Sequence, residues 1–401
     1  MKHAFFKFFY LLVTFCGANT VFAAEPDDCE SRIAPKDQEV LSLARKPQYF
    51  ESTNVHIKGE RTKRLMIVFR SNGCAFKRKT DGKSLKNQVC RHCNFNLHAI
   101  APASHQVTAS DQLYQFENVI NRYEAMIEEG VITQLDLLTS GNFVNPEEFS
   151  TELWESLIAK ANQYARLQKI VLEGRAEYIT RDRVEYLRQI SREDLFLEFS
   201  IGVESTNIKT LRFLRKGFSA AMFMEAIAAI SSQKSTGLHV NLLFKPRPGL
   251  KRKEAIRELV VSALDVLRVS KGLKTRIAIH PMFIAPQTYI EELFNNGTYT
   301  LPDLNDLPLA MALIVKMAAS FGLANLNSIF AGLSDEELSN GRNTVGKKSR
   351  ELYEDIQEFN GSQNLVFLNK YFEDAEFNDL LEELSREYNS RSNGQRVLNP
   401  Y

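Results

Sequence analysis

Arg64-Leu65-Met66-Ile67-Val68-Phe69-Arg70-Ser71-Asn72-Gly73-Cys74, followed after fifteen intervening residues by Cys90-Arg91-His92-Cys93, is the stretch from which the rest of the chain can be read. Leu65–Phe69 is an unbroken apolar run, the pattern of a strand buried on both faces within a parallel sheet. The chain then turns polar at once through Ser71, Asn72 and Gly73 and delivers Cys74. Parallel sheets bind their ligands beyond the carboxyl ends of the strands, so three thiols in the loop after the first such strand form a candidate functional centre.

Five further short apolar runs follow, at Leu135–Leu138, Lys169–Leu172, Leu195–Ile201, Leu238–Phe244 and Arg276–His280. Between them, Gln112–Gly130, Glu147–Ala165, Arg181–Ser191, Ala220–Ser232 and Lys251–Lys271 carry apolar residues at three- and four-residue spacing, the period of a helix. Strand and helix in alternation predict an α/β fold with six parallel strands, closed either as a βα barrel or as a doubly wound sheet. Beyond His280 the pattern becomes an irregular stretch through Pro302, a helical run Leu304–Gly322 and a charged helical tail near Glu373–Tyr388.

With 401 residues, 44% hydrophobic and 25% charged, the chain has ample material for a large core, which excludes disorder, collagen-like repeats and a disulfide-dense scaffold. Fifty basic against forty-nine acidic side chains leave a net charge of +1, so polyanion binding would need a local patch. Such a patch exists between Lys58 and Arg91, where eleven Lys or Arg face only Glu60 and Asp81. At the N-terminus, Lys2 and Lys7 precede an apolar run from Phe8 to Cys16, and Val21 and Ala23 mark a small-residue boundary. Residues 1–24 therefore read as a secretory signal, with too short an apolar run to span a membrane, and the body is expected to hold no stable span.

The cysteine spacing admits three chemistries. Zinc would take Cys74, Cys90 and Cys93 with a fourth ligand from His92, His98 or His105. An iron–sulfur cluster on three cysteines leaves one iron open for a substrate or cofactor. In an oxidising compartment the CxxC would be a disulfide, with Cys29 and Cys74 as the remaining pair.

At the strand ends the chain resembles the radical S-adenosylmethionine (SAM) enzymes, specifically the elongator-like branch that contains the archaeosine-biosynthesis radical SAM family. The resemblance lies in Arg70–Cys74, in Cys90-Arg91-His92-Cys93, and in Leu138-Thr139-Ser140-Gly141-Asn142-Phe143. It continues through Glu173-Gly174-Arg175-Ala176-Glu177-Tyr178, Gly202-Val203-Glu204-Ser205, Arg215-Lys216-Gly217-Phe218 and Leu242-Leu243-Phe244-Lys245-Pro246, covering about residues 47–310 in order. The chain departs from the family in having Asn94-Phe95 after the last cysteine, where Gly-Tyr is usual, and in a longer insert between Cys74 and Cys90.

The resemblance implies a partial (β/α)6 barrel of the radical SAM type over 47–285 and a mainly helical C-terminal extension over 286–401. Cys74, Cys90 and Cys93 would hold a [4Fe–4S] cluster, with SAM on the open iron. Ser140 and Gly141 would meet the methionyl amine. Glu173 and Arg175 would meet the ribose or carboxylate, Glu204 and Ser205 the ribose, Lys216 the methionyl carboxylate, His92 the adenine, and Lys245 the substrate. Plainer readings are a tight turn for Ser140-Gly141, a surface ion pair for Glu173 and Arg175, a polar strand boundary for Glu204-Ser205, a solvated helix-end lysine for Lys216 and an exposed loop histidine for His92.

An electron donor such as flavodoxin or ferredoxin and a modified nucleoside in tRNA complete what the resemblance implies. That chemistry places the protein in the cytoplasm, in conflict with the signal-like leader. The competing readings are a catalytically inactive metal- or RNA-binding barrel and an exported, disulfide-bonded interaction protein.

Overall fold

The computed structural model describes residues 42–57, 60–77, 84–99, 106–333 and 350–394. The signal-like segment 1–24, which includes Cys16, and Cys29 beyond it lie outside the described residues.

One eight-stranded sheet organises the chain, in the order β1 to β8. β1 (Tyr49–Ile57) runs antiparallel to β2 (Glu60–Phe69). β3 (Ile132–Thr139), β4 (Lys169–Gly174), β5 (Phe196–Glu204), β6 (Thr236–Phe244), β7 (Lys274–Pro281) and β8 (Leu326–Ala331) then add in parallel, each beside its predecessor. A doubly wound sheet needs a point where the strand order reverses, and this order never reverses. Crossovers of one hand therefore put the intervening helices on one face and curl the sheet about the other, which is the partial-barrel alternative.

The helices are α1 (Ala109–Glu128), α2 (Thr151–Asn162), α3 (Arg181–Ile190), α4 (Ile208–Leu214), α5 (Ala220–Ser231), α6 (Arg252–Val269), α7 (Tyr289–Asn295), α8 (Asp306–Ser320), α9 (Arg350–Ser362), α10 (Val366–Asn369) and α11 (Asp374–Gly394). Polar caps fix several starts: Thr108 and Asp111 form a capping box on α1, while Ser150, Ser219 and Thr288 accept backbone N–H groups at α2, α5 and α7. Each such cap contributes about 1 kcal/mol.

All six strands read from the sequence are present as β2 to β7. Their two faces differ, however. Leu65, Ile67, Phe69, Leu197, Phe199, Ile201, Ile277 and Ile279 belong to the apolar core shared with the helices. The alternate positions include Arg64, Asp136, Lys169, Glu198, His239 and Arg276, joined across the barrel interior. Arg64 pairs with Asp136 at 2.8 Å, and Lys169 with Glu198 at 3.1 Å. Such pairs are kept inside because each charge has a partner.

Two strands have no counterpart in the apolar pattern. β1 carries Glu51, Ser52, Thr53 and Asn54 in sequence, and β8 has Asn327 and Ser328 among six residues. Both lie at the sheet's edges, where one side of the backbone needs no strand partner and a continuous apolar run is not required. At β8 that side is covered by α9. The Gln363 side chain accepts from Ile329 N–H (2.8 Å) and donates to Ile329 O (2.9 Å), and Asn360 does the same for Ala331 at 2.9 Å each way. α9 also touches β1, so it stands between the two edges of the open barrel. Among the described residues no helix is long and apolar enough to cross a membrane.

Candidate functional site

Cys90 and Cys93 are free thiols, so the Cys90–Cys93 disulfide open to the sequence is not formed; Cys29, the partner the sequence offers for Cys74, lies outside the described residues. Cys90 has left-handed backbone, φ +46°, a costly conformation for a residue with a side chain. It is held by its neighbours. The Cys90 N–H donates to Arg215 O (3.1 Å) and the Arg91 N–H to Leu214 O (3.0 Å), at the end of α4. Lys77 Nζ donates to the carbonyls of Val89 (2.7 Å) and Cys90 (3.1 Å). The Arg91 guanidinium lies over the rings of Tyr289 (4.7 Å) and Phe213 (5.7 Å) and donates to Phe213 O (3.1 Å) and Lys86 O (2.6 Å). The loop is thus tied to α4 and α7, on the chain far beyond it.

Burial, with the charge of neighbouring Cys90 added, pushes the Cys93 thiol up to about 12. Cys74 is raised too, again chiefly by burial. Lys77 is the counter-cation: burial lowers its pKa and the three cysteines oppose that shift. Thiols in such a setting ionise when a metal displaces the proton. Among the described residues no three of His, Cys, Asp and Glu are grouped to hold one metal ion. His92, the fourth zinc ligand open to the sequence, has its Nε2 3.8 Å from Glu204 Oε1. His105 and the side chain of His98 lie outside the described residues.

β5 ends in a bulge, its register with β6 shifting between Gly202 and Glu204, and Glu204 takes φ +67°. Glu204 Oε1 accepts from Lys216 Nζ at 2.7 Å. Burial alone would raise the Glu204 carboxyl, but Lys216 and His92 outweigh it and hold it far below the usual carboxylate range. Lys216 is raised in turn, burial opposing and Glu204 and Cys90 prevailing. Both members are charged at neutral pH. A side chain at Gly202 would press on this pair, its Cβ falling 2.7 Å from Glu204 Oε1 and 3.0 Å from Lys216 Nζ.

Arg175, at the end of β4, binds Glu177 (2.5 Å), donates to Lys216 O (2.9 Å), has Nη1 3.9 Å from Cys90 Sγ, and covers the Phe76 ring at 3.9 Å. It links the cysteine loop to the Lys216 segment. Glu173 accepts the Thr139 N–H (3.1 Å) and is pushed up to about 7 by burial, with Lys216 opposing and Glu148 and Glu204 adding.

After β3, Ser140 is buried and bonds to the Gln48 side chain, and Gly141 passes so close to Glu148 that a Cβ would lie 1.8 Å from Oε2. Glu148 is a residue that sequence reasoning missed. It accepts from Ala75 N–H (3.1 Å), Asn142 N–H (2.7 Å) and Asn145 Nδ2 (3.2 Å), so it splices the cysteine loop to the β3 loop. Asn142 Oδ1 accepts the Arg175 N–H (3.2 Å), and its buried Nδ2 has no partner. Lys77 and Arg91 were missed as well. Asn142 and Arg91 stand within quoted motifs, whereas Lys77 and Glu148 lie outside them, and all four act through contacts distant in sequence.

Ser205 and Lys245 are engaged elsewhere. The Ser205 hydroxyl donates to Glu258 Oε1 on α6 (2.8 Å), and Lys245 Nζ to Thr300 Oγ1 (2.8 Å) and Leu301 O (3.0 Å).

No protein-family model matches the chain. In structure it is similar to radical SAM proteins, among them the methyltransferase TsrM from Kitasatospora setae, solved with cobalamin and a [4Fe-4S] cluster: 13% identity over 56% of this chain and 37% of that one, TM-score 0.35. In sequence it is similar to archaeosine synthase subunit beta from Methanosarcina acetivorans, 24% identical over 248 residues, 61% of this chain and 65% of the relative. An uncharacterized protein of Methanocaldococcus jannaschii is 25% identical over 243 residues, 60% of this chain and 62% of the relative. The match spans less than two thirds of either curated relative.

Proposed function

We propose that this protein is a radical SAM enzyme holding a [4Fe–4S] cluster through Cys74, Cys90 and Cys93. The observation that carries the reading is that the Cys74, Cys90 and Cys93 loop stands, with Lys77, Arg175 and the Glu204–Lys216 pair, at the carboxyl ends of the parallel strands. The donor set fits the group. Cys90 and Cys93 are not joined to each other, two cations offset thiolate charge, and a cluster takes each cysteine on its own iron. Zinc would need a fourth ligand, and His92 is turned to Glu204.

With SAM bound, the cluster would supply the electron that cleaves the sulfonium C5′–S bond to methionine and a 5′-deoxyadenosyl radical for hydrogen abstraction. The chain's own residues bind and orient. Lys216 meets the methionyl carboxylate, Ser140 and Gly141 meet the amine, and Glu173 accepts from ribose hydroxyls. His92 lies against the adenine, while Arg175 and Glu204 hold Lys216 and His92 in place.

The substrate we propose is a modified nucleoside in tRNA. It is supported by the basic run between Lys58 and Arg91 and by the similarity to archaeosine synthase subunit beta. Reduction by flavodoxin or ferredoxin and a CxxC that is not oxidised to a disulfide both suit a reducing compartment, so we place the enzyme in the cytoplasm.

The test is anaerobic reconstitution of the protein with iron and sulfide, addition of SAM and dithionite, and mass-spectrometric assay of 5′-deoxyadenosine, with Cys93→Ala alongside. Product that depends on Cys93, and that rises with a tRNA fraction, supports the proposal. Failure to take up iron refutes it.

A further inference from the structure

α6 carries a polar stripe that the proposed chemistry does not use. Its buried face is mostly Ala, Ile, Leu and Val, yet Glu258, Ser262 and Asp265 are buried as well. Spaced i, i+4, i+7, the three share one side of the helix. A carboxylate removed from water is costly unless donors fill its oxygens. Here the donors come largely from one short segment. Glu258 Oε1 accepts from Ser205 Oγ (2.8 Å) and Thr210 Oγ1 (2.5 Å), and Oε2 from Asn207 Nδ2 (3.1 Å), with Arg247 Nη2 at 3.4 Å. Ser262 Oγ accepts the Thr206 N–H (3.0 Å), and Asp265 Oδ2 accepts from Thr206 Oγ1 (2.9 Å). Ser205, Thr206 and Asn207 are consecutive and follow Glu204 directly.

We infer that the Glu258–Ser262–Asp265 stripe is a positioning device for Glu204, with Glu258 as its central positioning residue. Glu204 occupies left-handed backbone, φ +67°, which a glutamate keeps only when the chain on both sides is held. Upstream, the bulge against β6 holds it. Downstream, the Ser205–Asn207 turn is bound to α6, and the Ser205 hydroxyl that a strand-end motif would assign to a ribose is used for that anchoring. The stripe thus fixes where the Glu204 carboxylate meets Lys216 and His92. Its consequence for SAM rests on the function proposed above; its geometry does not.

Glu258→Gln keeps the side-chain shape and replaces an acceptor oxygen with a donor amide, setting donor against donor. Amide hydrogen exchange over residues 204–211 is expected to accelerate at least about tenfold, with Glu258→Asp intermediate. SAM affinity of the cluster-loaded protein, measured by titration calorimetry, is expected to weaken by about tenfold at unchanged iron content. Arg257→Ala is the control: it removes the α6 pair with Glu387 and leaves the loop contacts intact. Exchange at 204–211 no faster in Glu258→Gln than in Arg257→Ala overturns the inference, as does faster exchange with unaltered SAM affinity. Should Glu258→Gln not fold, the double variant Ser205→Ala, Thr206→Val removes the Ser205–Glu258 and Thr206–Asp265 bonds that tie the turn to α6 and is read identically. If the iron-loaded wild-type protein binds no SAM, the proposed function fails, and the exchange comparison alone decides the positioning role.

Discussion

Replacing Glu173 by glutamine is expected to stabilise the apoprotein at alkaline pH while leaving it unchanged in acid. Glu173 is buried and receives one backbone donor, the Thr139 N–H at 3.1 Å, so burial moves its pKa from 4.5 to about 7. The folded state therefore binds this proton more tightly than the unfolded state does. Between pH 4.5 and 7 the folded chain carries the extra proton, so stability falls as pH rises and levels off above 7. A rise from 4.5 to about 7 costs on the order of 3 kcal/mol at the plateau. Most of that cost builds up between pH 5 and pH 8. Glutamine keeps an acceptor for Thr139 and never ionises, so the variant escapes that penalty. Urea unfolding of both proteins at pH 5, 6, 7 and 8 reads it directly: the stability difference should rise in favour of Gln across the series. A pH-independent difference, or a less stable variant at pH 8, would refute the claim that Glu173 is a destabilised buried acid.

Three further outcomes follow from the packing around the site. Arg91→Lys removes the planar cation between Phe213 and Tyr289 and its two carbonyl contacts, which should loosen the cysteine loop by about 2 kcal/mol. Iron release to a chelator from the loaded protein should quicken accordingly. Gly217→Ala places a Cβ 2.4 Å from the Phe76 ring at φ +64°, and should cost roughly 2–3 kcal/mol of unfolding free energy in denaturant titration. Gln363→Ala strips two hydrogen bonds from the β8 edge and should cost about 1–3 kcal/mol. Light scattering should also show concentration-dependent association through the uncovered strand.

How much of the site was legible varies residue by residue. Cys90 and Cys93 are local, three residues apart on one turn, and their pairing in space follows from the chain itself. Glu204 and Lys216 lie twelve residues apart and meet at 2.7 Å because a bulge and the turn after α4 bring them back together. Neither feature leaves a mark in composition. Ser205 illustrates the opposite case: a residue adjacent to Glu204, inside the same motif, is drawn off by Glu258 on α6. Adjacent residues in a turn point in different directions, and only the packed helix decides which partner each one finds.

The sequence by itself determined the six central strands, the helices between them and the loop that carries three cysteines. These are set by short-range periodicity, in which each apolar run declares its own burial. The tertiary structure alone decided that the strands add in unbroken order, that their inner face is polar and ion-paired, and that β1 and β8 extend the sheet under the cover of α9. It also decided which charges meet: Arg175 with Cys90, Glu204 with Lys216, Glu148 with the backbone of two loops. Such encounters join residues up to eighty-five positions apart, as Arg175 and Cys90 are. Their geometry is fixed by where successive crossovers set the strand ends down, and no local pattern encodes that distance.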